Sequence, residues 1–125
     1  MTEAEKVARA FMASWSSRDL DTIMGFFAPD AVYHNIPLAP LNGAKEIAET
    51  IAGFLTIFET VEFEVLNLAV NGHVVMTERV DHFTIAGKPA SLPVSGTIEI
   101  RDGKVQAFRD YFDVGMFEKA TGLGM

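Results

Sequence analysis

The spacing of apolar residues divides the chain into a helical first half and a second half made mainly of strands. Near the N-terminus, Val7, Phe11 and Trp15 recur at the spacing of one face of a helix. Thr2 and Glu5 form a capping-box pattern ahead of that face, with Thr2 as the N-cap. A first helix is therefore predicted to begin at Thr2.

Two more helices and one strand are predicted before the pattern changes. Asp19 would cap a short helix that ends at Pro29-Asp30, and the strand AVYHNI ends ahead of Pro37 and Pro40. Gly43 would open a third helix. The apolar residues of the two helices are Leu20, Ile23, Met24 and Phe27 in the short one, and Ile47, Ile51, Phe54, Leu55 and Phe58 in the long one.

From Val61 onward apolar and polar residues alternate, as in strands. The four segments are VEFEVLNLAV, HVVMTERVDHFTI, SLPVSGTIEI and KVQAFRDYFDV, separated by the turn signals Asn71-Gly72, Gly87-Lys88 and Asp102-Gly103. A final turn of helix would hold Met116 and Phe117. Helices followed by hairpin-linked strands indicate an α+β fold, in which a curved antiparallel or mixed sheet wraps around the N-terminal helices. We expect a single domain over residues 1–125, shaped as a cone with a deep apolar pocket.

Composition narrows the classes of function. Hydrophobic residues make up 49% of the chain and charged residues 22%, which is typical of a globular domain rather than a disordered one. The net charge of −7 disfavours nucleic acids and anionic membranes as partners. With no cysteine there is no thiol nucleophile and no thiolate metal site. The 10 phenylalanines suggest an aromatic interior or pocket.

Neither a targeting segment nor a metal site is indicated. The N-terminus MTEAEKVARA carries acids and lacks the apolar core of a signal peptide, and no apolar run is long enough to cross a bilayer. A soluble cytoplasmic protein is therefore expected. His34, His73 and His82 lack metal-ligand spacing, and no cofactor is predicted. His34 and His82 fall on the outer faces of their strands, and we interpret them as surface or supporting residues.

Polar residues occur where the alternation predicts an inward face. In MTERVDHF, Arg79 and Asp81 share a face with Thr77 and Phe83. In FRDYFD, phenylalanines flank Asp110 at both i±2 positions. A solvated pair is the simpler interpretation of Arg79 and Asp81 taken alone, and such pairs contribute little to stability.

Tyr33 and Asn35 share a face of the strand VYHNI and offer two more polar groups. Taken singly, Tyr33 fits a half-buried tyrosine and Asn35 a strand-end residue. Taken with Arg79 and two aspartates, they fit a buried cluster in which one carboxyl keeps its proton. Such a cluster holds one acid and one base at neutral pH, as bifunctional proton transfer requires.

Three motifs in order carry a resemblance to a known family. They are Y-x-N-x-P-L-x-P from Tyr33, T-E-R-V-D from Thr77 and R-D-Y-F-D from Arg109. Together they resemble the limonene-1,2-epoxide hydrolase family over nearly the whole chain. That resemblance implies the cystatin-like α+β cone that the family shares with nuclear transport factor two, ketosteroid isomerase and the SnoaL-like cyclases.

The same resemblance implies roles for five residues. Asp110 would act as general base on a water held by Tyr33 and Asn35. Asp81, protonated, would donate to the epoxide oxygen, and Arg79 would bridge the two aspartates. The implied product is a vicinal diol, formed in one step without a covalent intermediate or cofactor. A homodimer is also implied, with a small hydrophobic epoxide as substrate.

The pocket wall is implied by positions that resemble the substrate-lining residues of the family. These are Phe54, Phe58, Phe83, Leu92, Val94 and Phe112, with Trp15 and Met24 as further candidates. Each also fits a plain core residue. Two other functions stay open on the same fold. One is an isomerase or cyclase that moves a proton beside a carbonyl, and the other is a non-catalytic binding or dimerisation module.

Overall fold

One mixed sheet and four α-helices make up the fold in the computed structural model, which describes residues 1–124. The helices are α1 (Glu3–Ser14), α2 (Leu20–Met24), α3 (Ala44–Ile57) and α4 (Val114–Thr121), with one turn of 3-10 helix at Trp15–Ser17. The strands are β1 (Phe27–Asn35), β2 (Leu41–Asn42), β3 (Thr60–Asn71), β4 (Val74–Ile85), β5 (Lys88–Arg101) and β6 (Lys104–Tyr111). No helix in this described part of the chain is long and apolar enough to cross a membrane.

The strand order is β2-β1-β6-β5-β4-β3. The long strands β3 to β6 form an antiparallel meander, and β1 joins β6 in parallel. The predicted α+β fold with a curved sheet is confirmed. The meander follows from its turns, since Gly72, Gly87 and Gly103 all have positive φ, the conformation that tight hairpins require.

An aromatic core fixes α1 against the sheet. Phe11 is fully buried, and its ring meets those of Phe27 and Phe108 edge-on at centroid distances of 5.1 and 5.0 Å. Trp15 extends this cluster with its ring 5.0 Å from that of Phe63. The sheet residues of this cluster belong to β1, β3 and β6, so α1 and the 3-10 turn that follows it contact three strands.

The second helix is shorter than predicted, and the strand after it is longer. Met24 ends α2, and Phe27 begins β1 instead of closing the helical face. The pairing of β1 with β6 is irregular between Phe27 and Val32, a stretch that contains Pro29. Proline is tolerated in a strand at such irregularities, so it did not mark the boundary between the two elements.

The C-terminal segment also differs from the prediction. The last strand ends at Tyr111 rather than at Val114. Asp113 accepts a hydrogen bond from the Met116 backbone N–H at 2.8 Å and caps α4, which has 8 residues rather than one turn. Phe58 lies just past the end of α3 as its C-cap, whereas the helical face was predicted to include it.

Candidate active site

Strand register aligns four polar or small residues in one row across the inner face of the sheet. Asn35 on β1 is paired with Asp110 on β6, Asp110 with Gly96 on β5, and Gly96 with Thr77 on β4. Arg79 and Asp81 follow Thr77 on the same face of β4, because side chains two residues apart in a strand point the same way. Sheet pairing alone therefore gathers residues from distant parts of the sequence.

The Arg79 guanidinium joins two carboxylates. Its Nε and Nη2 donate to Asp81 at 3.0 and 2.9 Å, and its Nη1 and Nη2 donate to Asp110 at 3.0 Å each. Nη1 also donates to Thr77 Oγ1 at 3.3 Å. These bonds engage every one of the five N–H groups that an arginine carries. The guanidinium is therefore held in one orientation.

Burial rules out the interpretation of Arg79 and Asp81 as a solvated surface pair. Arg79 is 1% exposed, and Asp81 and Asp110 are each 4% exposed. Burial alone would lower the pKa of Arg79, but the charges and hydrogen bonds of the two aspartates raise it above its ordinary value. Arg79 is therefore a permanent cation between two buried carboxyls.

Both carboxyls are harder to ionise than an ordinary aspartate. Burial raises the pKa of Asp110 to about 6, even though the charge of Arg79 opposes the rise. Burial also raises the pKa of Asp81, with Arg79 again acting in the opposite direction. Two carboxyls joined by one cation titrate as a unit, and the pair with one proton is neutral overall with Arg79. That state contains both an acid and a base.

Two aromatic rings lie close to the guanidinium. The Arg79 Cζ lies 4.8 Å from the centroid of the Phe63 ring and 5.6 Å from that of Phe108. These are cation–π distances, and the rings also keep water away from the charge. Phe108 in turn stacks on Tyr33, with a centroid separation of 5.0 Å and an interplanar angle of 13°.

Tyr33 and Asn35 lie on the inner face of β1, next to Phe108 and Asp110 on β6. Both side chains line the same cavity as Asp81 and Asp110. Burial, with a smaller contribution from the charge of Asp110, raises the pKa of Tyr33 above its ordinary value. The hydroxyl therefore stays protonated and can donate a hydrogen bond across the working pH range.

The cavity has a volume of about 600 Å³ including its open mouth. All six side chains predicted to form the pocket wall line this cavity: Phe54, Phe58, Phe83, Leu92, Val94 and Phe112. Trp15 also lines it, whereas Met24 packs against the core and is not among the lining residues. The cavity is thus an apolar chamber with its polar groups gathered at the aspartates, Tyr33 and Asn35.

Four lining residues were missed from the sequence: Leu55, Val61, Phe63 and Phe117. Val61 and Phe63 share the inner face of β3, so the period-two pattern could have found them. Phe117 belongs to α4, whose length was underestimated. Its ring lies 6.1 Å from that of Phe112, a contact that depends on tertiary packing and leaves no local signal.

The histidines lie outside the cavity. His82 contacts Ser91 Oγ through Nδ1 at 2.8 Å and Glu64 Oε1 through Nε2 at 2.9 Å, on the outer face of the sheet. His34 Nε2 contacts the Leu38 carbonyl oxygen at 2.8 Å. Within residues 1–124, no group of three or more histidine, aspartate or glutamate side chains is arranged to hold a metal ion.

Solved structures of distantly related proteins share this fold. An NTF2-like protein of unknown function from Burkholderia pseudomallei superposes with a TM-score of 0.87 at 18% identity, covering 98% of this chain and 100% of that chain. A protein described as a SnoaL-like polyketide cyclase from Shewanella putrefaciens gives a TM-score of 0.85 at 14% identity, covering 96% of each chain. These similarities define the class of fold, the NTF2- and SnoaL-like cone.

Closer relatives identify the family. The solved structure of an LEH-like epoxide hydrolase from Mycobacterium tuberculosis has a TM-score of 0.84 at 28% identity, covering 94% of this chain and 89% of that chain. The epoxide hydrolase EphG of M. tuberculosis is 30% identical over 111 residues, which is 84% of this chain and 70% of that protein. Residues 2–122 match the limonene-1,2-epoxide hydrolase catalytic domain. The chain belongs to this family, as the three motifs predicted.

Proposed function

We propose that this protein adds water in one step to a small hydrophobic epoxide, alicyclic or of similar size, and releases a vicinal diol. The observation that carries the proposal is the pair of buried carboxyls bridged by Arg79 at the polar part of an apolar cavity. Apolar walls suit the hydrocarbon part of such a substrate, and the carboxyls supply an acid and a base. Membership of an epoxide hydrolase family supports the same assignment.

Asp110 is the proposed general base. Its carboxyl lies in the row beside Asn35, and Tyr33 lines the same part of the cavity. A water held by Tyr33 and Asn35 would give its proton to Asp110 as its oxygen attacks an epoxide carbon. With its pKa raised to about 6, Asp110 is mostly ionised at neutral pH and is a stronger base than an ordinary aspartate.

Asp81 is the proposed general acid. As the bond from water oxygen to carbon forms, the bond from that carbon to the epoxide oxygen breaks, and the oxygen takes a proton from Asp81. Attack from the back requires acid and base on opposite sides of the substrate, and the two carboxyls come from β4 and β6 with β5 between them. The step transfers one proton from Asp81 and one to Asp110, and exchange with solvent restores the starting state.

The reaction proposed needs only these side chains and water, so it calls for no cofactor or metal. A proton-transfer isomerase or cyclase on the same fold would also use a buried base beside a tyrosine. The proposed role of Tyr33 and Asn35 in holding a water favours hydrolysis over that alternative, since isomerisation consumes no water. A non-catalytic binding module would gain nothing from burying two ionisable acids in an apolar cavity.

The deciding experiment is a single turnover of limonene-1,2-epoxide or cyclohexene oxide in water enriched in heavy oxygen, with enzyme in excess. Direct attack by water puts the label into the diol in that first turnover. A covalent ester intermediate would instead deliver an unlabelled carboxylate oxygen. If a folded protein formed no diol from any epoxide, the hydrolase proposal would be wrong, and ketone substrates would test the isomerase alternative.

We also propose a homodimer that buries part of the outer face of the sheet. Met76 and Tyr111 lie on that face, and Leu66 lies where the pairing of β3 with β4 shifts register. They are 52%, 48% and 50% exposed, which is high for large apolar or aromatic side chains. Light scattering should give a mass of about twice the 13.7 kDa of the chain. A monomer at micromolar concentration would contradict this proposal and leave the catalytic one intact.

A further inference from the structure

Arg79 reaches Asp110 by crossing a strand. The two residues belong to β4 and β6, with β5 between them. Strands in a sheet lie about 4.8 Å apart, so the two backbones are separated by roughly 10 Å. The Arg79 side chain spans this gap along the inner face of β5, and its Nη1 and Nη2 reach the Asp110 carboxylate.

Gly96 is the residue of β5 that lies on this path. It is paired with Thr77 on one side and with Asp110 on the other. A Cβ at this position would overlap Arg79 Nη1, lie 2.6 Å from Asp110 Oδ1 and lie 3.2 Å from Thr77 Oγ1. Gly96 does not have a positive φ, so backbone conformation does not require glycine here. The guanidinium occupies the space that a side chain would fill.

A glycine inside a long strand weakens that strand, because it adds backbone entropy to the unfolded state and has no side chain to pack. In β5 the residues on either side of Gly96, Ser95 and Thr97, have ordinary strand side chains. The close approach of a guanidinium is therefore the physical reason for glycine at this one position.

Thr77 provides the remaining hydrogen-bond acceptor for the guanidinium. It is 2% exposed, and its Oγ1 accepts from Arg79 Nη1 at 3.3 Å while donating to the Gly96 carbonyl oxygen at 3.4 Å. Without this hydroxyl one guanidinium N–H would be buried without an acceptor, which is unfavourable, most of all for a charged group. Neither Thr77 nor Gly96 is among the residues lining the cavity.

We infer that Gly96 and Thr77 are positioning residues that fix the Arg79 guanidinium between Asp81 and Asp110. Gly96 leaves the space that the guanidinium occupies, and Thr77 accepts the N–H that the carboxylates leave free. The inference rests on the proposed function for its kinetic consequences, but the geometry stands without it. Both residues act through Arg79 and do not touch the substrate.

Gly96→Ala should move the guanidinium away from Asp110. A misplacement of about 1 Å near a reacting group lowers turnover roughly 100-fold, so kcat should fall by about that factor. KM should change little, because the apolar wall is untouched. Asp110 would stay buried but would interact less strongly with the displaced Arg79 cation, so the pKa of Asp110 should rise. The acidic limb of the pH–rate profile should therefore shift to higher pH.

Thr77→Val and Thr77→Ser form a second pair of variants, which change the packing less than Gly96→Ala does. Valine keeps the shape but removes the acceptor of a charged donor, so kcat should fall about tenfold. Serine keeps the hydroxyl and should restore most of the activity. A purely structural role would respond to the lost methyl group instead, with serine the worse of the two. This pair tests the inference even if Gly96→Ala fails to fold.

The experiment combines steady-state kinetics with a titration of aspartate side-chain carboxyl carbons by NMR, which needs no substrate. Gly53→Ala is the matched control, because a Cβ there would meet nothing within 4 Å. We expect a raised Asp110 pKa and lower kcat in Gly96→Ala, with both unchanged in the control. The inference would be overturned if Gly96→Ala had the same Asp110 pKa and the same kcat as the wild type. If Gly96→Ala does not fold, the same result in Thr77→Val would overturn it. A wild-type protein without epoxide turnover would overturn the proposed function alone, since the titration still reports the geometry.

Discussion

Asp81 and Asp110 lie on strands that do not touch, yet each accepts two hydrogen bonds from the same guanidinium group. Arg79 thus sets the positions of both carboxyls while leaving them separated. A single cation can neutralise only one of them, so the second is most stable with a proton. The pair with one proton contains both an acid and a base, which is the state that the proposed hydrolysis requires.

Removing either carboxyl should abolish turnover without unfolding the protein. Asp110→Asn removes the base and Asp81→Asn removes the acid, and general acid–base groups contribute about 100- to 10,000-fold each. Diol formation should therefore fall by at least about 100-fold in both variants. The control is Asp102→Asn, an exposed turn residue with a φ of 51° that asparagine also tolerates. Full activity in either buried variant would exclude the proposed pair of acid and base.

Tyr33→Phe should lower activity less than Asp110→Asn does. The substitution removes the hydroxyl, while Asn35 remains in place to hold the water. The stacked contact of the ring with Phe108, at 5.0 Å, needs no hydroxyl, so folding should be preserved. Comparison of kcat for the two variants provides the measurement. A loss as large as that of Asp110→Asn would mean that Tyr33 does more than orient the water.

Activity should rise as the pH rises through about 6, the pKa to which burial raises Asp110. Below that pH the base carries a proton and cannot accept another from water. The measurement is the pH dependence of kcat/KM, which reports groups of the free enzyme. A profile with no acidic limb in this region would show that Asp110 is not the base. The Asp102→Asn control should reproduce the wild-type limb.

The same carboxyl should make the protein less stable as the pH rises. An unfolded aspartate has a pKa of about 3.9, so between that pH and about 6 the folded state binds the extra proton. The free energy of unfolding should then fall across this interval, by up to about 3 kcal/mol from this one group. Urea unfolding of wild type and Asp110→Asn at several pH values measures the difference. Equal pH dependence in the two proteins would contradict the raised pKa.

Much of the architecture could be predicted because strand alternation is a strong signal. Period two puts Arg79 and Asp81 on one face of their strand and Asp110 between two phenylalanines, which indicated an inward cluster but left a solvated pair open. The hairpin turns predicted the antiparallel meander. The parallel pairing of β1 with β6 could not be predicted, although it places Asn35 beside Asp110. That contact joins residues far apart in sequence, and no local pattern encodes it.

The role of Gly96 shows a second limit of the sequence. In SLPVSGTIEI the glycine looks like an interruption of a strand, and nothing nearby indicates what fills the space above it. Only the register that aligns Thr77, Gly96 and Asp110 shows that an arginine from two residues further along β4 lies there. The boundary error at Phe27 has a similar origin, because its pairing with Val105 of β6 places it in a strand. The error at Asp113 is different, because its hydrogen bond from the Met116 backbone N–H is a local capping contact.

The width of the cavity should set which epoxides are accepted, and Phe58 is the residue to vary. Its ring stacks on Phe83 at 4.5 Å and lies 5.9 Å from Phe54, so three aromatic rings form one side of the chamber. Phe58→Leu shortens that wall. It should raise kcat/KM for limonene-1,2-epoxide relative to the smaller cyclohexene oxide by roughly tenfold, the size of effect that a small change in an apolar pocket produces.

Phe58→Leu should also lower the free energy of unfolding by about 1 kcal/mol, since it removes a stacked aromatic pair. Phe26→Leu is the matched control. The ring centroid of Phe26 lies 5.9 Å from that of Phe11, but Phe26 does not line the cavity. This control variant should lower stability without changing the ratio of kcat/KM between the two epoxides. An equal ratio in both variants and wild type would show that this aromatic wall does not select the substrate, and that selection lies with the residues nearer the aspartates.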